Sequence, residues 1–294
     1  MRAVVVTTFG GPEAVEVVET VVPEPAARQV RIKVAAAALN PVDAGARSGV
    51  FGGDGERIGL GWDVAGTVDA TDAGSAWSVG DEVVALHHGP VKPLGTHAEY
   101  VVVDTDAVAK APAGVDAVHA ATLPLNALAA VQALDQLELT PERSLLVTGA
   151  AGAVGGYAVQ LAAHRGISVT GMAREADEEF VRSLGAAHFT TGDGGGFDAV
   201  LDAAILGAAA LERVRDGGAY VGVIPGTAPA SVRGIRVAEL GVVADGARLA
   251  ELAALVEEGV LTLRVAGTYP LDEAAKAHAR LAEGGMRGRI VLVP

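Results

Sequence analysis

Cysteine is absent from the 294-residue chain. No disulfide can form, no thiolate nucleophile exists, and a zinc site would have to be built from His and carboxylates alone. Basic charge is scarce as well: 22 Lys and Arg stand against 36 Asp and Glu, a formal net charge of −14. With no basic run to offset that balance locally, nucleic acid and membrane surfaces are poor partners, although a few focused donors could still hold a small anion. Uninterrupted apolar runs fall short of the roughly 18 to 20 residues that cross a bilayer. The opening "MRAVVVTTFGG" carries one charge and then reads as a strand without a small-residue cleavage site, so a soluble cytoplasmic protein is expected. Apolar residues, by contrast, make up half of the chain, enough for one large core or two ordinary ones.

Two patterns divide the sequence. From Met1 to about Pro112, short β-rich segments such as "RAVVVTTF", "QVRIKVAAAAL", "DEVVALH" and "HAEYVVVD" are separated by Gly, Pro and Asp turns, the spacing of a compact barrel or sandwich. After Gly114, apolar strands alternate with amphipathic helices, which predicts a parallel sheet covered on both faces. "AVHAATLPLNALAAVQALDQL" reads as a helix that Pro124 bends or breaks, and "AALERVRDGG" as another helix. The last segments, "LTLRVAGTYP" and "RGRIVLVP", offer strands without a further βαβ unit and could return to the first domain.

The stretch "VTGAAGAVGGYAVQLA", Val147 to Ala162, joins strand to helix through small residues. Amide groups and the helix dipole at such a junction suit a dinucleotide pyrophosphate. Against the Gly-x-Gly-x-x-Gly pattern, Ala150, Gly152 and Gly155 occupy the three positions, with Ala153 and Val154 between the last two. The first position therefore carries a methyl group and must keep a backbone that an L-residue tolerates. At the end of the next strand, "SVTGMAREAD" puts Met172 where an NAD site would have a carboxylate, and Arg174 just beyond. A guanidinium without a competing carboxylate favours a 2′-phosphate, hence NADP(H). The alternative for Arg174 is a solvated first-turn pair with Glu178.

Read together, "GGPEAVEVVET", "AALNPVDAGARSG", "GWDVAGTV", "VGDEVVAL", "HAEYVVV", "ATLPLNALAAVQAL", the glycine stretch and "MRGRIVLVP" resemble the zinc-free quinone oxidoreductases of the medium-chain dehydrogenase/reductase superfamily. The resemblance implies an α/β protein: a GroES-like β-barrel substrate domain from residues 1–118 and 265–294, a doubly wound Rossmann parallel sheet from 119–264, and a cleft where they meet. Zinc-dependent relatives carry Gly-His-Glu where this chain has Gly61-Trp62-Asp63, and a cysteine near Asn40, so no metal is expected. His87, His88 and His97 lack a clear ligand geometry and read as surface or cleft-lining residues.

The same resemblance implies the site. Asn40 would lie beside the nicotinamide and the substrate carbonyl, with Pro41 fixing its turn. Thr122 and Pro124 would approach the nicotinamide, Val223, Ile224 and Pro225 would meet its carboxamide, and Arg289 would stand close to the cofactor. Three family hydroxyl positions are empty, at Gly45, Ala129 and about Gly192. No proton donor is obvious, which leaves His87, His88, Tyr100 or water. The expected activity is metal-free hydride transfer to a quinone or an activated C=C of a small apolar carbonyl compound. A biosynthetic tailoring or enoyl-thioester reductase, and a non-catalytic NADPH-binding sensor or structural protein, remain alternatives. A homodimer is expected through the edge strand "GIRVAELGVV".

Overall fold

The structure is a computed structural model that describes residues 1–294 apart from 53, 54, 56 and 73. Its chain divides into two units: Met1–Leu125, Val243–Glu257 and Leu263–Pro294 form the first, Asn126–Val242 and Glu258–Thr262 the second. Residues 243–257, expected in the Rossmann part, thus group with the β-rich part. Their helix can lie close because Gly246 has no side chain; a Cβ there would sit 2.4 Å from the Val108 carbonyl oxygen.

The first unit begins with β1 (Arg2–Val6), β2 (Glu16–Glu19), β3 (Gln29–Leu39), α1 (Pro41–Arg47), β4 (Ile58–Gly59), β5 (Asp63–Thr71), β6 (Glu82–Leu86), β7 (Tyr100–Asp104), β8 (Val108–Lys110) and α2 (Ala117–Ala120). Strand β3 shows why the β pattern was legible. Val30, Ile32 and Val34 are buried while Lys33 and Ala35 face outward, and from Ala36 to Leu39 every residue is buried. One-sided burial gives alternation, and two-sided burial gives a continuous apolar run. Helix α3 (Pro124–Leu137) starts after a break at 121–123, with Pro124 at its first position, where the missing N–H costs nothing.

The second unit carries β9 (Ser144–Thr148), α4 (Ala153–His164), β10 (Ser168–Met172), α5 (Glu178–Ser183), β11 (His188–Thr190), β12 (Phe197–Asp202), α6 (Ala208–Leu211), β13 (Val214–Gly222) and β14 (Arg236–Glu239). Its six strands are parallel in the order β11-β10-β9-β12-β13-β14. Leu145, Leu146 and Val147 at its centre are fully buried. The helix expected over "AALERVRDGG" is confined to α6, because from Val214 the chain joins the sheet beside β12.

The chain then returns to the first unit with α7 (Gly246–Glu257), β15 (Val265–Pro270), α8 (Ala274–Glu283) and β16 (Arg289–Val293). Strands β15 and β16 pair in parallel with α8 between them. This is the βαβ unit that the sequence reading did not expect. Burial of Ala274 and Ala277 on one face of α8, in a core with Leu39, Ile290 and Leu292, holds it there. Strand β16 pairs antiparallel with β3, and the sheet continues β15-β16-β3-β5-β6-β8, with β7 also on β3. Strands β2, β1 and β4 form a second, three-stranded sheet.

Candidate active site

In the second unit the turn between β9 and α4 is built to exclude side chains. Gly149, not the residue at position 150, takes the left-handed backbone, with φ of +61°. Ala150 therefore keeps an ordinary conformation and is buried, and its methyl is tolerated. A Cβ on Gly155 would lie 2.2 Å from the Gly149 carbonyl oxygen, so helix and strand can approach only with glycine there. Gly152 caps the 12-residue α4 at its N-terminus, with Ala153 and Val154 in the first turn, where backbone amides and the dipole favour an anion.

Beside that turn stands a carboxylate absent from the sequence reading. Asp202, buried at the C-terminal end of β12, accepts from Thr148 Oγ1 (2.6 Å), the Tyr220 hydroxyl (2.8 Å), Leu206 N (3.2 Å) and Gly207 N (2.8 Å). Burial and this carboxylate push the Tyr220 hydroxyl well above the usual phenol range. The network ties the ends of β9, β12 and β13 to the loop that follows β12. These strand ends flank the point at which the strand order reverses, the usual ligand position in a doubly wound sheet.

Around it, the remaining predicted positions of this unit take up separate places. Arg174 follows β10, its side chain 67% exposed, and its Nε donates to buried Asp177 at 2.9 Å. Its partner is thus Asp177 rather than Glu178. Val223, Ile224 and Pro225 follow β13, and the next turn is clamped because Glu239 accepts from Gly226 N (2.9 Å) and Ala228 N (2.7 Å). Those backbone donors hold the Glu239 carboxyl below its ordinary range.

The first unit contains a second polar centre, around Asn40. Asn40 is buried at the N-terminus of α1, and its Nδ2 donates to Asp63 Oδ2 at 2.6 Å. Asp43, one turn into α1, accepts from Asn40 N and Gly61 N, each at 2.8 Å. Asp63 also accepts from Leu125 N at 2.6 Å, so the segment Thr122–Pro124 is pinned beside it. Thr122 itself is buried, and its hydroxyl donates to His119 O. Burial pushes the Asp63 carboxyl up to about 7, with nearby Asp43 raising it further, against the donors Leu125 and Asn40 and the charge of Arg289. Arg289, at the start of β16, therefore acts on Asp63.

Of the proposed proton donors, His87 and His88 lie close to this centre. His87 N donates to Trp62 O at 2.7 Å, and its ring Nε2 contacts Leu94 O at 3.1 Å. Burial, helped by the Lys92 charge, lowers His87 to about 3; the ring stays neutral and cannot serve as an acid at neutral pH. The His88 ring packs edge-on against Trp62 at 5.3 Å. His97 is buried with Nε2 on Ala38 O. Tyr100 is elsewhere. It pairs with Lys33 in the β7–β3 register and lies under the Arg31 guanidinium, and from Lys33 to Asn40 the strand runs roughly 20 Å at about 3.3 Å per residue.

Sequence reasoning missed Asp43, Asp63, Lys92 and Asp202. The last had a readable signal, since "FDAVLD" closes an otherwise apolar strand with a carboxylate, and a charge there must find partners. Lys92 is 8% exposed; its Nζ donates to His87 O and stands 4.9 Å over the Trp62 ring.

Comparison with known proteins places both units. Residues 26–113 match the alcohol dehydrogenase GroES-like domain, and residues 174–292 the zinc-binding dehydrogenase family. The chain is 34% identical to the chloroplastic NADPH-dependent alkenal/one oxidoreductase of Arabidopsis thaliana, over all of this chain and 80% of that one. Among solved structures, the quinone oxidoreductase of Coxiella burnetii superposes with a TM-score of 0.90 at 28% identity, covering 100% of this chain and 99% of the other. A mycobacterial structure complexed with NADPH superposes at 0.86 with 26% identity and full coverage of both chains. The parallel sheet is thus a Rossmann-type sheet and the β-rich unit is GroES-like.

Proposed function

Since the chain belongs to the quinone oxidoreductase-like branch of the medium-chain dehydrogenase/reductase superfamily, we propose that it is an NADPH-dependent, zinc-independent reductase of enones or quinones. The observation that carries the reading is the β9–α4 turn, where a side chain at Gly155 would collide with the Gly149 carbonyl and helix-end amides favour a diphosphate. Gly152 to Gly155 would hold the diphosphate, Arg174 the 2′-phosphate, and the Val223–Pro225 loop, fixed by Glu239, the carboxamide. NADPH, when bound, supplies a hydride.

The protein's own residues must orient the acceptor and manage charge on its oxygen. Asn40 commits an amide N–H to Asp63, so its carboxamide is held in one orientation rather than free to turn. The donor set at this centre does not suit zinc. Gly61-Trp62-Asp63 provides one carboxylate already occupied by two donors, Asn40 offers an amide, and no thiolate exists; among the described residues no group of three His, Cys, Asp or Glu could hold a metal. A neutral apolar carbonyl compound is the expected substrate class, as supported by relatives named for alkenals, enones and quinones. We further propose that two copies pair through β14, the edge strand whose ladder partner is β13; a mass in solution showing only monomer refutes this.

Calorimetric titration and NADPH consumption test the reading together. Tight NADPH binding with turnover on at least one member of an enone and quinone panel is expected, whereas no binding of either reduced or oxidised cofactor overturns it. Arg174→Ala should weaken NADPH about tenfold and leave NADH unchanged, since a charge-assisted phosphate contact is lost. Equal losses for both would remove Arg174 from the phosphate site.

A further inference from the structure

The reduction proposed above leaves a proton unaccounted for, and His87 is too acidic to carry one. Lys92 stands at the same centre. A lysine ammonium has three donors, and among the described residues Lys92 uses a single hydrogen bond, to His87 O. Its amine is fixed over the face of Trp62, a contact that favours a cation. The charges of Asp43 on α1 and Asp63 on β5 also favour that cation, while burial disfavours it and brings the amine down to about 7. On the opposing side, Lys92 charge depresses both His87, at the end of β6, and His97, before β7, and His88 completes the set through its contact with Trp62.

We propose that Lys92 is the proton donor to the oxyanion formed when an enone or quinone is reduced, an assignment that rests on the reductase reading. Hydride addition at the conjugated carbon moves the π pair onto the carbonyl oxygen. An N–H bond of Lys92 then breaks and an O–H bond forms; the N–H electron pair remains on nitrogen as a neutral amine. Water returns a proton to the amine, so each turnover consumes one hydride and one proton. Asp63 acts as a positioning residue, since it holds Asn40 and favours the charged form of Lys92.

The test combines activity with titration of the resting protein. Lys92→Met should lower kcat about 100-fold, within the usual range for loss of a general acid, with KM little changed, and should abolish an alkaline limb near pH 7 in the kcat profile. Lys92→Arg keeps charge but holds its proton, so the limb should disappear while NADPH affinity is kept. Independently of folding in either variant, wild-type protein labelled with 13C-lysine carries four lysines, Lys33, Lys92, Lys110 and Lys276. One Cε resonance should titrate near pH 7. Wild-type kcat and limb in Lys92→Met, or four lysine resonances all titrating in the ordinary range, overturn the assignment while leaving the reductase reading intact. An absence of turnover in wild type and variants alike overturns both.

Discussion

Asp63 and Asp202 are both buried carboxylates at a strand end, one in each unit, yet they are used differently. Asp202 accepts from Thr148, Tyr220, Leu206 and Gly207, which nearly fills the lone-pair capacity of a carboxylate. Asp63 accepts from Asn40 and Leu125 and has a second carboxylate, Asp43, within electrostatic reach. A saturated carboxylate is a pin for the backbone around it. One that is under-supplied with donors and pushed up to about 7 responds to the charge of its neighbours, and this responsiveness is found beside Lys92.

The comparison predicts a graded series. Asp202→Ala leaves several buried donors unpaired, each costing about 1–3 kcal/mol, so a loss of about 3 kcal/mol or more in denaturant unfolding is expected, with NADPH binding lost as the β9 and β12 ends separate. A loss below about 1 kcal/mol would mean that the network is not a pin. Asp63→Asn should cost less, about 2 kcal/mol, because one acceptor oxygen remains while its new N–H₂ faces a donor.

This second variant also carries a pH signature. The folded pKa of Asp63 is raised, so its contribution to stability is present below the unfolded carboxyl value, about 4, and is lost as pH rises through about 7. Lys92 has a depressed folded pKa, so its contribution is present above its unfolded value, about 10, and is lost as pH falls through about 7. Together they give a local stability minimum near pH 7. Unfolding curves measured from pH 4 to 10 should show Asp63→Asn lacking the fall on the acid side; an unchanged acid-side slope refutes the raised pKa. The smallest effect is expected for Tyr220→Phe, about 1 kcal/mol with no change in pH slope, since three donors to Asp202 remain.

Legibility followed the range of the physics. The β9–α4 turn was visible because its requirement is local: glycine spacing between an apolar strand and a helix. Position 150 had to keep a backbone that an L-residue tolerates, and it does so because the left-handed residue is Gly149, one place earlier. The parallel sheet was visible as alternation, whereas the helix over "AALERVRDGG" lost to sheet pairing with β12, a tertiary effect that propensity does not see. Asp63 was legible only as a departure from the zinc-dependent Gly-His-Glu, because the donors that hold it, Asn40 and Leu125, are distant in sequence. Lys92, in a loop rich in Gly and Pro, gave no periodic signal at all. Tyr100 could not be placed without strand register, which puts it opposite Lys33.

The pairing of β16 with β3 has a consequence for how the protein is made. Ile290, Val291 and Leu292 lie against Leu39, Ala38 and Ala37, partners separated by about 250 residues, and contacts of such long range slow folding. During synthesis, the strand that leads into Asn40 must wait for nearly the whole polypeptide before its edge is covered. The GroES-like unit is therefore the last to be completed, after the Rossmann-type sheet has already emerged from the ribosome.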